Sequence, residues 1–401
     1  MSKALIFIFI ASIFTMNSFG LGPNLYPLRL ILPITIVYFF VVLFQKVILL
    51  KQKLEVKPIV LFSFLFFVLM FFHTYIVSFI RFQLFDAQYE FNSILNFSFL
   101  LFLIVTLYLI VFSFPKHFLQ STKYIILLFY LIYTVFSFYE IITGYHLPTS
   151  DLMDAPRWMR HVPTVVYFNS NDFAFVFTLM MMYVLSVFDA KKSFSILMVI
   201  AIFLIHMFII YKSESRLSFI MSFSFFVYRY PKKVIYSSLF GFVLFFVCGY
   251  FLESSWYMQV MDDLANLKSD LSFNERQSTL VRLTLYKYAI FSIISSYGFG
   301  YGVDYSAQYY QSINDANLHY IVDPHSFIFE LLINSGLLSL LFYIGLNIYL
   351  CIKNWSYKNQ DVVIQIIIFN LLLFSSSSSL FIWPVYLFLI IYICKTAQID
   401  N

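Results

Sequence analysis

Apolar residues fall in blocks of roughly 20 along most of this chain, separated by short polar breaks, rather than alternating or repeating every few positions. Blocks of that length are what membrane-crossing helices require. They predict helices near residues 4–19, 28–50, 58–80, 94–114, 124–142, 168–188, 193–211, 217–230, 234–252, 326–352, 362–374 and 380–393. The last two blocks are short, and the serine run from Ser375 to Ser379 with Pro384 offers one broken helix as the alternative. The reading is therefore an all-α polytopic membrane protein of about 12 (11–12) transmembrane helices, with a large extracytoplasmic loop before the last three. The first block lacks a clear small-residue cleavage site and is soon followed by another span, so it is expected to be retained as a helix.

The blocks divide the chain into an N-terminal five-helix region (1–142), a first extracytoplasmic loop (143–167), a central four-helix region (168–252), a large extracytoplasmic loop (253–325) and the C-terminal helices (326–401). Within the large loop, residues 279–296 are amphipathic, with Arg282 and Tyr286 at helical spacing, as suits a segment on the membrane surface. Loops of this size are more than connection needs.

Composition changes this picture only in detail. Of the 401 residues 61% are hydrophobic and 11% charged, far from the roughly 25% charged of a soluble domain. The net charge of +5 is spread over short loops, so it carries no nucleic-acid signal. Cys248, Cys351 and Cys394 have neither metal spacing nor an evident partner. Charge distribution says more. With the N-terminus inside, 14 of the 17 lysines fall on the cytoplasmic side, in accord with the positive-inside rule. Seven of the eight arginines fall on the other side: Arg29, Arg81, Arg157, Arg160, Arg216, Arg276 and Arg282. Lysine suffices to set topology, whereas guanidinium pairs bidentately with phosphate or carboxylate. The arginines as a set favour an outward-facing anion site.

Four constellations sit at that outer boundary. Asn169-Ser170-Asn171-Asp172 enters one helix, where Asn171 or Asp172 would serve as a cap. Ser213-Glu214-Ser215-Arg216 enters another, and an arginine at the start of a lipid-embedded helix is costly without a partner. Arg282 leads through Tyr286 to Gly298-Phe299-Gly300-Tyr301-Gly302, a flexible turn that permits close backbone approach. It is no dinucleotide fingerprint, since no strand precedes it. Finally Asp323-Pro324-His325-Ser326 opens the late helix, with Glu330 and Asn334 following. His206 is expected to be satisfied by an interhelical hydrogen bond; His73 and Glu140 are candidates for the cavity wall.

At these four constellations the chain resembles the O-antigen polymerase/ligase superfamily (Wzy-type polymerases and WaaL-type ligases). His325-Ser326 leading through Phe329 and Leu332 to Gly336 matches its late helix, with Ser326 where Asn is usual. Arg282, Tyr286, Gly300 and Gly302 match its arginine–aromatic and Gly-x-Gly pattern, and Ser215-Arg216 its helix entry. Asn169-Ser170-Asn171-Asp172 matches the family's Asn-Pro-Asn-Asp-like segment, with Ser170 in place of proline. The resemblance covers about residues 168–352; it implies a metal-independent membrane glycosyltransferase without cofactor, at the outer face of the bacterial cytoplasmic (inner) membrane. Donor and acceptor would be polyprenyl-diphosphate-linked oligosaccharides, with a chain-length regulator among the partners. Arg216 and Arg282 would clamp the diphosphate and His325 would orient or deprotonate the acceptor hydroxyl. Arg276, Arg157 and Arg160 would grip polymer or a second phosphate, with Asn171, Tyr286 and Glu330 completing the substrate site. The preferred activity is polymerisation of repeat units into an O-antigen- or capsule-type polysaccharide. The alternatives are ligase-type transfer to another acceptor and, from another class, a polyprenol-linked glycan flippase.

Overall fold

The structure is a computed structural model that describes residues 2–16, 18, 26–51, 56–85, 91–153, 160–234, 236, 273–303, 310, 313, 326–375 and 380–400. Side chains at 83–85, 91–92, 273–281, 375 and 400 are outside that description. Among the described residues every regular element is helical. The helices are α1 (Ser2–Phe14), α2 (Pro27–Phe44, ending in a π turn Gln45–Leu49), α3 (Pro58–Phe85), α4 (Phe91–Ser113), α5 (Pro115–Thr143) and α6 (Ser170–Phe188). They continue with α7 (Ile196–Lys212), α8 (Arg216–Arg229), α9 (Phe273–Ser295), α10 (Phe327–Ser356), α11 (Gln360–Ser375) and α12 (Trp383–Ala397).

Six of these are long and apolar enough to cross a membrane, namely α2 to α6 and α10. The chain is a multi-span membrane protein, and its outer surface agrees. Ile34, Phe40, Leu69, Phe72, Ile142 and Leu338 are all exposed, a surface that water would not tolerate but lipid does. Of the twelve expected spans, the one at 234–252 lies almost wholly outside the described residues. α8 has 14 residues, about 21 Å at 1.5 Å per residue, which falls short of the roughly 30 Å hydrocarbon core.

α12 is the central post. It is apolar on all sides and buried from Trp383 to Cys394, and it packs against α1, α3, α4, α5, α6 and α10. A helix hydrophobic all round belongs inside a bundle. α5 begins nine residues earlier than its apolar run suggested. Pro115 is its first residue, Lys116 and Lys123 ride on its first turns, and Gly144 (φ 68°) closes it with an amide bond of 2.8 Å to the Glu140 carbonyl. Charged residues end an apolar block without ending a helix. α6 is capped by Asn169, not by Asn171 or Asp172. The Asn169 Oδ1 accepts from the Asp172 amide at 2.9 Å and its side-chain amide donates to Asp172 Oδ2 at 2.9 Å, a reciprocal cap.

Candidate active site

Three contacts fix which helix ends lie together. Buried Arg229, the last residue of α8, pairs with Asp361 in the first turn of α11. It also donates to the carbonyls of Leu185 and Asp189 at the end of α6. Hence α8 runs parallel to α6 and antiparallel to α11. The other end of α11 carries Phe374, which lies 5.6 Å from Phe329 in the first turn of α10 and 5.9 Å from Tyr286 on α9 (ring centres). The helix starts bearing Asn171, Arg216 and Glu330, and the Arg282–Tyr286 turn of α9, therefore share one end of the bundle.

The best-defined part of that end is built on a broken helix. α10 is interrupted at Gly336, whose φ of 79° and ψ of 179° are accessible essentially to glycine alone. A break inside lipid frees backbone groups that must find partners. They find them in the glycine–aromatic segment. The Tyr301 amide donates to the Ile333 carbonyl (2.8 Å), the Gly302 amide to the Asn334 carbonyl (3.0 Å), and the Leu337 amide to the Gly298 carbonyl (2.8 Å). From α3, Ser78 Oγ accepts from the Val303 amide (2.8 Å) and the Arg81 guanidinium donates to the Tyr301 carbonyl (2.8 Å). The close approach expected of these glycines is observed, in a segment held from both sides. His73 on α3 faces Phe299, with ring centres 6.3 Å apart.

α9 delivers the arginine–aromatic pair. Tyr286 stacks on Phe329 at 4.5 Å, while Leu285 and Ala289 are buried against Phe329, Leu332 and Ile333. Arg282 is partly exposed. Burial raises the Tyr286 phenol above its ordinary pKa, and the charge of Arg282 opposes that rise. On another side α9 exposes Leu283, Ile290, Phe291 and Ile294, a face suited to lipid.

Arg216 is the first residue of α8 and exposed. It follows Glu214, which takes a left-handed φ of 59°, and Ser215, whose hydroxyl donates to Ser218 (3.0 Å) instead of capping. Asn171 is partly buried in the first turn of α6. Glu330 is buried, and one carboxylate oxygen accepts from the Leu380 amide at 3.0 Å, so part of its role is to seat α12. His325 and Arg157 lie outside the described residues, as does the side chain of Arg276. Arg81, as above, donates within the protein, and so does Arg29, to Asn96 Oδ1 at 2.6 Å. His206 is satisfied between helices, by Ser222 Oγ (3.0 Å) and the Tyr130 hydroxyl (3.4 Å).

Glu140 is buried at the foot of the first outer loop and serves as its anchor. Its Oε2 accepts from the amides of Thr164 (2.8 Å) and Val165 (2.9 Å), and Oε1 lies 3.3 Å from His146 Nδ1. His146 Nε2 donates to the carbonyl of Arg160 at 2.7 Å, which brings Arg160 to the same end. Burial disfavours the charged imidazole, yet the hydrogen bond and charge of Glu140 outweigh it and raise the His146 pKa. The signal was a lone carboxylate near the end of an apolar helix, followed six residues later by histidine. Among the described residues no three His, Cys, Asp or Glu side chains form a metal-holding group.

The family described as O-antigen ligase (Wzy_C) matches residues 165–344, from the Glu140-bound turn to just past the break in α10. Over these residues the chain is similar to that family. A teichuronic acid biosynthesis protein, TuaE of Bacillus subtilis (strain 168), is 29% identical over 238 residues, 55% of this chain. The match covers 48% of that relative, so the chain spans about half the length of the curated relative it matches.

Proposed function

We propose that the protein polymerises lipid-diphosphate-linked oligosaccharide repeat units into a surface polysaccharide at the outer face of the cytoplasmic membrane. The observation that carries the reading is the docking of the matched motifs on one another: Tyr286 on Phe329, and Gly300 on the break at Gly336. The contacts support a preformed floor on one end of the bundle, with Arg282 and the start of α10 at its edge. His325 immediately precedes the described start of that helix.

In this reading the acceptor hydroxyl oxygen attacks the anomeric carbon of the donor, and the bond from that carbon to the diphosphate oxygen breaks. Negative charge grows on the departing polyprenyl diphosphate. Arg216 and Arg282 stabilise it, a contribution that in comparable sites amounts to roughly 10²–10³-fold per group. His325 takes the hydroxyl proton or orients the hydroxyl, a task suited to an imidazole of ordinary pKa about 6.5. Arg157, Arg160 and Arg276 hold sugar or phosphate of the growing chain, with Asn171 and Glu330 at its margin. Transfer to another acceptor is the second reading, favoured by the ligase description of the matching family.

Reconstitution in liposomes with a polyprenyl-diphosphate-linked repeat unit and no other acceptor tests this. A ladder of lipid-linked products, with polyprenyl diphosphate released at each step, is the expected result. Product only after a separate acceptor is added would give the ligase reading, and a mere change of leaflet a transporter. Arg216→Ala, Arg282→Ala and His325→Ala should each abolish the ladder while still inserting. Normal chain length in all three would overturn the site.

A further inference from the structure

At the end of the bundle away from Arg216 and Arg282 lies a cavity of about 540 Å³. That is within the roughly 300–1,000 Å³ usual for small-ligand sites. Its wall is formed where α6, α8, α11 and α12 meet, by Ser186, Tyr228, Asp361 and Lys395, with Lys192 and Lys358 from the adjoining turns.

The charge on this wall is one-sided. Three ammonium groups face one carboxylate, Asp361, and that carboxylate is already paired with buried Arg229. Aromatic faces hold two of the ammoniums. Lys192 Nζ lies 5.6 Å from the Tyr228 ring centre and Lys395 Nζ 4.4 Å from that of Tyr183. Lys192 and Lys358 both occupy left-handed backbone positions, with φ of 56° and 57°, uncommon for residues other than glycine. The start of α11, at Gln360–Val362, borders the same space, and the positive end of a helix dipole adds to the attraction for an anion. Depth is marked by Trp355, on the last turn of α10, and Tyr357, its C-cap beside Lys358, which are 63% and 55% exposed. Exposed indole and phenol rings settle at headgroup level.

We propose that this cavity binds the phosphate of an anionic glycerophospholipid headgroup, in the leaflet facing the lysine-rich end of the bundle. Basic pockets between membrane helices have this use, and lysine suits it as a point charge. The site is separate from the glycosyl-transfer site, so the two readings stand or fall apart.

The test uses the purified full chain in detergent, with binding read by native mass spectrometry and by thermal melting. Phosphatidylglycerol should bind and raise the melting temperature, and phosphatidylcholine should do neither. Lys192→Gln/Lys358→Gln should weaken phosphatidylglycerol binding roughly 30-fold, and Lys358→Gln alone roughly 5-fold, at about a factor of five per lysine. The Lys192→Arg/Lys358→Arg pair and Lys191→Gln, in the same turn but outside the wall, should bind as the natural protein does. Equal binding by the natural protein and Lys358→Gln would overturn the site. Full protection by millimolar inorganic phosphate, with none added by phosphatidylglycerol, would overturn the lipid and assign the cavity to a soluble phosphate.

Discussion

Gly300 lies so close to Gly336 that a β-carbon on it would stand 2.6 Å from the Gly336 amide nitrogen. A β-carbon on Gly336 would in turn stand 2.5 Å from the Gly298 carbonyl oxygen and the Phe299 carbonyl group of the same segment. The late helix breaks where the large loop's backbone enters it, and neither partner has room for a side chain. Gly336→Ala should therefore cost more than the 1–3 kcal/mol or so of backbone strain alone. Gly345→Ala is the control, because nothing lies within 4 Å of its β-carbon and alanine favours a helix by up to about 1 kcal/mol. Thermal melting of the purified variants should show a large fall for the first and none for the second.

Glu140 and His146 make the first outer loop sensitive to pH. The folded pKa of His146 is raised above 6.5, so the charged form is favoured by folding. Its contribution is complete below about 6.5 and is lost as pH rises through the raised value. Hydrogen exchange of the amides of Thr164 and Val165 should thus quicken on the alkaline side of 6.5. Glu140→Gln should remove this pH dependence and lower stability by about 1–3 kcal/mol through its weakened bonds to two buried amides. An unchanged pH profile in that variant would show that the pair does not hold the loop.

Much of this was legible in the chain, for identifiable reasons. Apolar blocks mark helices because lipid demands continuous hydrophobicity, and every expected block within the described residues has its helix. Boundaries were poorer where the helix outlives the membrane, as at Pro115–Lys123, since charge ends a block but not a hydrogen-bond ladder. Gly300 was readable as a residue permitting close approach, and Gly336 as a position matching the family's late helix, but that they approach each other, 36 residues apart, is tertiary information. Counting arginines does not reveal their partners: that Arg29 donates to Asn96 and Arg81 to the Tyr301 carbonyl is tertiary information. Glu140 was read as cavity wall because its acceptors' donors, the Thr164 and Val165 amides, leave no trace in residue type.

The buried Arg229–Asp361 pair joins α8 to α11 and sets the direction of both. Removing Asp361 leaves the fully buried Arg229 charge without its carboxylate, which costs about 3–5 kcal/mol, and removing Arg229 breaks its bonds to the Leu185 and Asp189 carbonyls as well as to Asp361. Arg229→Met and Asp361→Leu should each lower the melting temperature strongly. Their combination should be milder than the sum, because no lone charge remains. An additive double variant would mean that the two side chains are not coupled. This contrasts with Arg216→Ala and Arg282→Ala, expected to lose activity with little loss of stability.

Tyr286 offers a cleaner division between ring and hydroxyl. Its ring stacks on Phe329 one turn from Arg282 and so fixes the facing of that turn of α9. An aromatic pair contributes about 0.5–1.5 kcal/mol beyond its buried area. If the ring positions Arg282, Tyr286→Phe should retain most polymer formation, whereas Tyr286→Ala should lower it by an order of magnitude or more. Phe329→Ala should reproduce the alanine defect from the other side of the stack, and the double alanine variant should be little worse than either single one. Chain-length analysis of the lipid-linked product and the melting temperature should be measured on each variant. Loss of polymer in Tyr286→Phe with unchanged melting would instead place the phenol hydroxyl against substrate. It would then join Arg282 as a binding group.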